Sequence, residues 1–76
     1  MQTAADETRL AQVQAATAGL KQVERLERQG KYSRAQDLLF THWKNASEVL
    51  GGGPQVRQAL DRFSEQFAPI YRRIAL

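Results

Sequence analysis

Cysteine is missing from this 76-residue chain, and histidine and tryptophan each occur once. Without cysteine the chain forms no disulfide and no thiolate metal site, so neither can support a small core. A domain of this length buries about 60% of the surface that its unfolded chain exposes. At about 0.05–0.15 kcal/mol per residue, its stability is about 4–11 kcal/mol. We therefore expect a single domain that gains further burial by association.

Long apolar runs and strong charge are also lacking. No stretch approaches the roughly 18 apolar residues of a membrane-spanning helix, and the N-terminal residues lack the pattern of a secretory signal. The 11 basic and 8 acidic side chains give a net charge of +3. Acidic residues accompany the basic ones in every part of the chain. These features predict a soluble cytoplasmic protein that does not bind membranes, and they exclude a purely electrostatic nucleic-acid tail.

Glycine and proline divide the chain into helix-sized pieces. Gly30 follows one periodic stretch, and residues 51–53 with Pro54 separate the next two. Glycine just past a helix end and proline at a first helical position are the usual stop and start signals. The sequence therefore predicts an all-α, three-helix antiparallel bundle with a short C-terminal turn after Pro69. The predicted helices cover about residues 4–29, 33–50, 54–68 and 69–75.

The first predicted helix has a narrow apolar seam in a polar, alanine-rich segment. Thr3 is its predicted N-cap. Gly19 costs about 1 kcal/mol relative to alanine, and we interpret it as a tolerated weak point, with close helix approach as the alternative. A segment this polar either frays or serves as an interaction arm. Because the seam needs a cover, we expect a homodimer or an obligate hetero-complex. The seam consists of Leu10, Val13, Ala16, Leu20, Val23 and Leu26.

The second and third helices carry the aromatic side chains. Ser33 and Gln36 have the spacing of a capping box at the start of the second helix. We expect Trp43 and Phe63 to pack between the second and third helices. Pro69 predicts either a kink or a stop in the third helix, because its ring removes the backbone hydrogen bond to the residue four positions earlier.

The sequence offers little for catalysis or metal binding. His42 lies on the apolar stripe of the second helix, where packing is its expected role. Asp61 and Glu65 are four residues apart, but without a second pair or a nearby histidine they indicate a solvated face. Residues 51–53 precede a helix, yet no strand comes before them and no Lys-Ser/Thr pair follows, so a phosphate loop is not indicated. We expect no enzyme activity, no cofactor and no metal site.

Two local patterns resemble known families. Gly30, Tyr32 and Ala35, followed by Leu39, resemble the turn and second-helix start of a tetratricopeptide unit. This resemblance covers residues 30–39 and implies a helical hairpin of the type used in peptide-binding adaptors. A second resemblance, to the small Hha-type nucleoid-associated modulators, implies an all-α protein that acts through a DNA-binding partner protein. It is carried by residues 23–25, 31–32 and 69–74.

The aromatic residues lie between positions 32 and 71, and the first 20 residues contain none. Aromatic residues and arginine dominate the energies of protein interfaces. Phe40 lies beside the apolar stripe of the second helix, with Tyr32 and Arg34 close to the preceding turn. We therefore predict that Tyr32, Arg34 and Phe40 bind another protein. The chain is then a bacterial regulatory adaptor or a chaperone-like protein.

Nucleic acid is the alternative partner. Arg57, Gln58 and Arg62 lie near the start of the third helix, where a recognition helix offers polar side chains to a DNA groove. Asp61 and Glu65 on the same helix repel phosphates. A DNA-associated transcriptional or nucleoid regulator is therefore the second hypothesis, after protein binding.

Overall fold

A computed structural model describes residues 4–76, which form three α-helices and no strand. The helices are α1 (Ala4–Arg28), α2 (Tyr32–Ser47) and α3 (Pro54–Ile74). The predicted all-α three-helix fold is therefore confirmed. The described bundle is elongated, with extents of 44 × 16 × 16 Å. The predicted N-cap Thr3 lies outside the described residues.

The three helices run up, down and up. Gly30, with a φ of 76°, reverses the chain between α1 and α2, so these helices are antiparallel. The Asp6 side chain lies close to Gly53, near the starts of α1 and α3. At the other end of the bundle, the Arg73 guanidinium donates hydrogen bonds to the Glu27 carboxylate. Helices α1 and α3 are therefore parallel to each other.

Helix α1 is the central helix of the bundle. It packs against both α2 and α3, which contact each other less. The prediction that this polar segment frays or acts as an arm is wrong, because the same chain covers its seam. The seam therefore gives no reason for a second chain. Its buried side chains are Val13, Ala16, Leu20, Val23 and Leu26.

Helix α2 begins at Tyr32 and ends at Ser47, short of the predicted residue 50. Lys31 is its N-cap and provides no side-chain hydrogen bond, so the predicted capping box is wrong. The Gln36 side chain instead donates a hydrogen bond to the backbone carbonyl of Ile74, which joins the start of α2 to the end of α3.

Helix α3 runs through Pro69 without interruption. A stop at Pro69 and a separate helix over residues 69–75 were predicted as one outcome, and this outcome is wrong. Pro69 and Glu65 are both exposed. The Glu65 carbonyl, which loses its usual N–H donor, is therefore on the side of the helix that water can reach.

Gly19 is a point of close helix approach. A Cβ atom built on Gly19 would overlap the imidazole ring of His42. The absence of a side chain at Gly19 thus makes room for the ring between α1 and α2. Of the two interpretations of Gly19, the contact with His42 favours close helix approach, because a side chain here would displace the ring.

Candidate functional site

An open groove lies between α2 and α3. It encloses about 290 Å³ and is lined mainly by apolar side chains. We call it the aromatic groove. Its lining residues are Trp43, Ala46, Ser47, Leu60, Phe63, Ser64, Phe67 and Ala68.

Aromatic rings line up along α3, beginning with Phe63 and Phe67 in the aromatic groove and continuing beyond its lining to Tyr71. Phe63, Phe67 and Tyr71 are spaced four residues apart, which places them in one row on the helix surface. The ring centroids of Phe63 and Phe67 are 5.6 Å apart, and those of Phe67 and Tyr71 are also 5.6 Å apart. Phe40 of α2 meets Tyr71 edge-on, with a centroid distance of 6.3 Å. The row therefore extends across the two helices.

The floor and the wall of the groove differ in exposure. Phe63 is 4% exposed, so its predicted place in the core is confirmed. Trp43 lies between α2 and α3 in the same groove as Phe63, but it is 49% exposed, so its predicted place in the core is wrong. Leu39 and Ala46 take the positions on α2 that are buried in the core. Trp43 lies to one side of them, and no further helix among residues 4–76 covers it. A large apolar side chain left half exposed is a typical mark of an interaction surface.

The structure separates the residues predicted to bind protein. Tyr32 is 56% exposed and Phe40 is 46% exposed. Tyr32 and Arg34 line a shallow depression at the α1–α2 turn, apart from the lining of the aromatic groove. Arg34 and Phe40 are six residues apart, which places them about 120° apart around α2. Phe40 joins Tyr71 instead of Arg34.

The predicted protein-binding set of Tyr32, Arg34 and Phe40 does not include Trp43, Leu60 or Phe67, which line the aromatic groove. The spacing of four residues between Phe63, Phe67 and Tyr71 is the signal that indicates a row of rings. That spacing does not show which part of the row stays uncovered. Coverage depends on how α2 packs beside α3, which is a property of the bundle.

A second surface lies between α1 and α3. Two adjoining pockets of about 330 and 300 Å³ share Gln14, Ala59 and Arg62. We call them the polar cleft, and neither has a carboxylate among its lining residues. The other lining residues are Leu10, Thr17, Ala18, Lys21, Gln55, Gln58 and Gln66.

The structure also divides the residues predicted to bind nucleic acid. Gln58 and Arg62 both line the polar cleft. Arg57 is five residues before Arg62 and lies about 140° away from it around α3. Gln58 and Arg62 therefore share a surface that does not include Arg57.

The main ion-pair network lies at one end of the bundle and joins α1 to α3. Arg73 Nε lies 2.7 Å from Glu27, and Arg73 Nη2 lies 3.3 Å from Glu24. The hydrogen bond from Arg73 lowers the pKa of Glu27, and the same bond raises the pKa of Arg73. This network links the ends of the parallel helices α1 and α3. At the α1–α2 contact, burial lowers the pKa of His42.

The described part of the chain holds no group of three or more His, Cys, Asp or Glu side chains suited to a metal ion. None of its helices combines the length and apolar character that a bilayer span requires. No family model, curated protein or solved structure matches this chain. The tetratricopeptide and Hha-type resemblances therefore stay predictions.

Proposed function

We propose that this protein is a non-catalytic binding module that takes a helix of another polypeptide chain into the aromatic groove. A regulatory adaptor or a chaperone-like protein acts in this way, and a cytoplasmic location is part of the proposal. The observation that carries it is the half-exposed Trp43, which lines the groove together with Phe67. Exposed aromatic clusters of this kind are typical anchors of protein interfaces.

The shape of the groove favours a helix as its occupant. Two antiparallel helices that contact each other little leave a channel parallel to their axes. A third helix fits such a channel by placing its apolar side chains between the rows of the other two. Covering Phe40 and Trp43 contributes on the order of 1–3 kcal/mol for each ring.

Affinity capture from the native host tests this proposal with two matched variants of α2. Phe40→Ala removes a ring beside Tyr71, whereas Arg34→Ala changes the same helix about 120° away. We expect Phe40→Ala to lose the captured protein and Arg34→Ala to retain it. Both variants should keep the helicity of the parent and remain folded at the temperature of the assay. Loss with Arg34→Ala alone would place the contact at the α1–α2 turn and contradict the proposal.

A second candidate function uses the polar cleft. Lys21 and Arg62 line this cleft, form no ion pair among the described residues and have no carboxylate beside them in the lining. Such a surface favours a phosphate backbone. A mobility-shift series with genomic DNA, repeated at rising salt, tests it. Binding that weakens steeply with salt and is lost in Arg62→Ala would support the DNA-associated regulator.

A further inference from the structure

Basic side chains continue the polar cleft along α1. Lys21 lines the cleft, and Arg25 and Arg28 follow it at intervals of four and three residues. These intervals place both arginines within about 40° of Lys21 around the helix. Arg62 of α3 lines the same pocket as Lys21. We call these four residues the basic row.

The basic row is accessible to a ligand. All four side chains are exposed, and none forms an ion pair within residues 4–76. The acidic residues of α3 lie outside the cleft lining. Measured around α3 from Gln66, which lines the cleft, Glu65 is about 100° away and Asp61 is about 140° away. They therefore lie farther from α1 than Arg62 does.

Two carboxylates of α1 lie near one end of the basic row. Glu24 and Glu27 are held by Arg73, which offsets part of their charge. Besides Arg73, the charge of Arg28 also lowers the pKa of Glu27. Arg28 is therefore the member of the row that has the least charge to offer a ligand.

We propose that double-stranded DNA binds along the basic row through its phosphates, without reading the base sequence. This inference rests on the second candidate function, to which it adds the α1 residues and the mode of contact. From Lys21 to Arg28, at a rise of about 1.5 Å per residue, the row extends for about 10 Å. That length matches about three phosphates of one strand, which follow one another every 3.4 Å or so along the duplex axis.

The remaining lining of the cleft favours contact with the DNA backbone. Glutamine and threonine side chains donate hydrogen bonds to phosphate oxygens, and such contacts carry no sequence information. The lining residues include no aromatic ring, whereas proteins that hold single strands use such rings as stacking platforms. A recognition helix presents its base-reading side chains on one face, but Arg57 and Arg62 lie about 140° apart around α3.

Fluorescence anisotropy with two labelled DNA duplexes of unrelated sequence tests the inference. We expect their affinities to agree within about threefold. Each phosphate contact contributes about −0.9 to the slope of log affinity against log salt concentration, so the basic row predicts a slope of about −3 to −4. A strong preference for one duplex, or an affinity that does not change with salt, would overturn the inference.

Removing one charge at a time locates the surface. Lys21→Gln, Arg25→Gln and Arg62→Gln should each weaken binding about three- to tenfold at low salt and reduce the slope by about one. Arg28→Gln should have the smallest effect of the four. Arg57→Gln, the same charge change on α3 about 140° from Arg62, is the matched control and should keep the parental affinity and slope. Equal losses with Arg57→Gln and Arg62→Gln would contradict the proposed surface.

The inference and the proposed functions fail in different ways. Phe40→Ala should bind DNA like the parent, so its capture result tests the adaptor function alone. Sequence-specific binding that depends on Arg57 would overturn the inference and retain the DNA-associated regulator. No binding of either duplex at low salt, or tighter binding of a single strand or of polyglutamate, would overturn the inference and leave the adaptor function intact.

Discussion

The aromatic groove and the polar cleft lie on two sides of the same helix. Helix α3 provides one wall of each, with Leu60 and Phe67 toward α2 and Gln58 and Arg62 toward α1. The facing walls differ more strongly. Helix α2 presents Trp43, whereas α1 presents mainly glutamine, alanine, threonine and lysine side chains. One backbone arrangement thus produces two openings, and the side chains alone decide what each can bind.

The third pair of neighbouring helices is α1 and α2, and the boundary between them is closed. Gly19 and His42 meet there, and the Gln12 side chain donates a hydrogen bond to the backbone carbonyl of Asn45, with an N–O distance of 2.7 Å. The boundary between α1 and α2 is therefore the reference for the other two. It is packed so closely that a methyl group at Gly19 does not fit beside the His42 ring. Mutations at the three boundaries should differ accordingly.

The largest expected effect is at the floor of the aromatic groove. Phe63→Ala should destabilise the domain by about 3–5 kcal/mol, because it leaves a cavity in the core. That is a large part of the roughly 4–11 kcal/mol expected for a chain of this size. Chemical denaturation measures it. A melting temperature within a few degrees of the parent would show that the floor of the groove is not part of the core.

The next effect is at the closed boundary. Gly19→Ala should destabilise the protein by about 1–3 kcal/mol, because the new methyl group displaces the His42 ring. In a His42→Ala background the same substitution should stabilise the protein by up to about 1 kcal/mol, since alanine is the better helix former. A double-mutant cycle in urea measures this coupling. The same sign of effect in both backgrounds would contradict the close contact.

The walls of the two openings should contribute little to stability. Trp43→Ala should cost about 1 kcal/mol, and Gln58→Ala should change stability by about 0.5 kcal/mol or less. Their melting curves, measured side by side at low protein concentration, test this. A Trp43→Ala variant as unstable as Phe63→Ala would place Trp43 in the core and remove the distinction between floor and wall.

The smallest effect concerns pH at the closed boundary. Burial lowers the pKa of His42 in the folded state, so protonation favours the unfolded chain. The stability contribution of neutral His42 is complete above its unfolded pKa of about 6.5 and is lost as the pH falls through that value toward the lower folded pKa. Melting temperatures from about pH 7 to pH 5 should therefore fall more in the parent than in His42→Gln. Equal slopes would contradict the partial burial of the His42 ring.

The sequence predicts where the helices begin and end better than it predicts which of their faces are covered by other helices. Gly30 and Pro54 mark helix boundaries because glycine and proline act locally on the backbone. The apolar seam of α1 is correctly recognised, but its cover is not, since coverage depends on where α2 and α3 pack. Pro69 interrupts α3 less than its local chemistry suggests because it lies on the exposed side.

The candidate site shows the same limit. Phe40 was recognised as lying beside the apolar stripe, because that follows from helix periodicity alone. Its association with Tyr71 depends on a contact between residues far apart in the chain. Trp43 is exposed because no helix among the described residues covers it. A local sequence pattern does not show whether such a helix is present.

The central claim is that the aromatic groove, and not the polar cleft, is the surface that binds another polypeptide. Affinity capture with Trp43→Lys and Gln58→Lys tests it most directly, because each variant adds one positive charge to one wall. Circular dichroism first verifies that both are folded. We expect Trp43→Lys to lose the captured protein and Gln58→Lys to retain it. Capture that survives Trp43→Lys and disappears in Gln58→Lys would contradict the account.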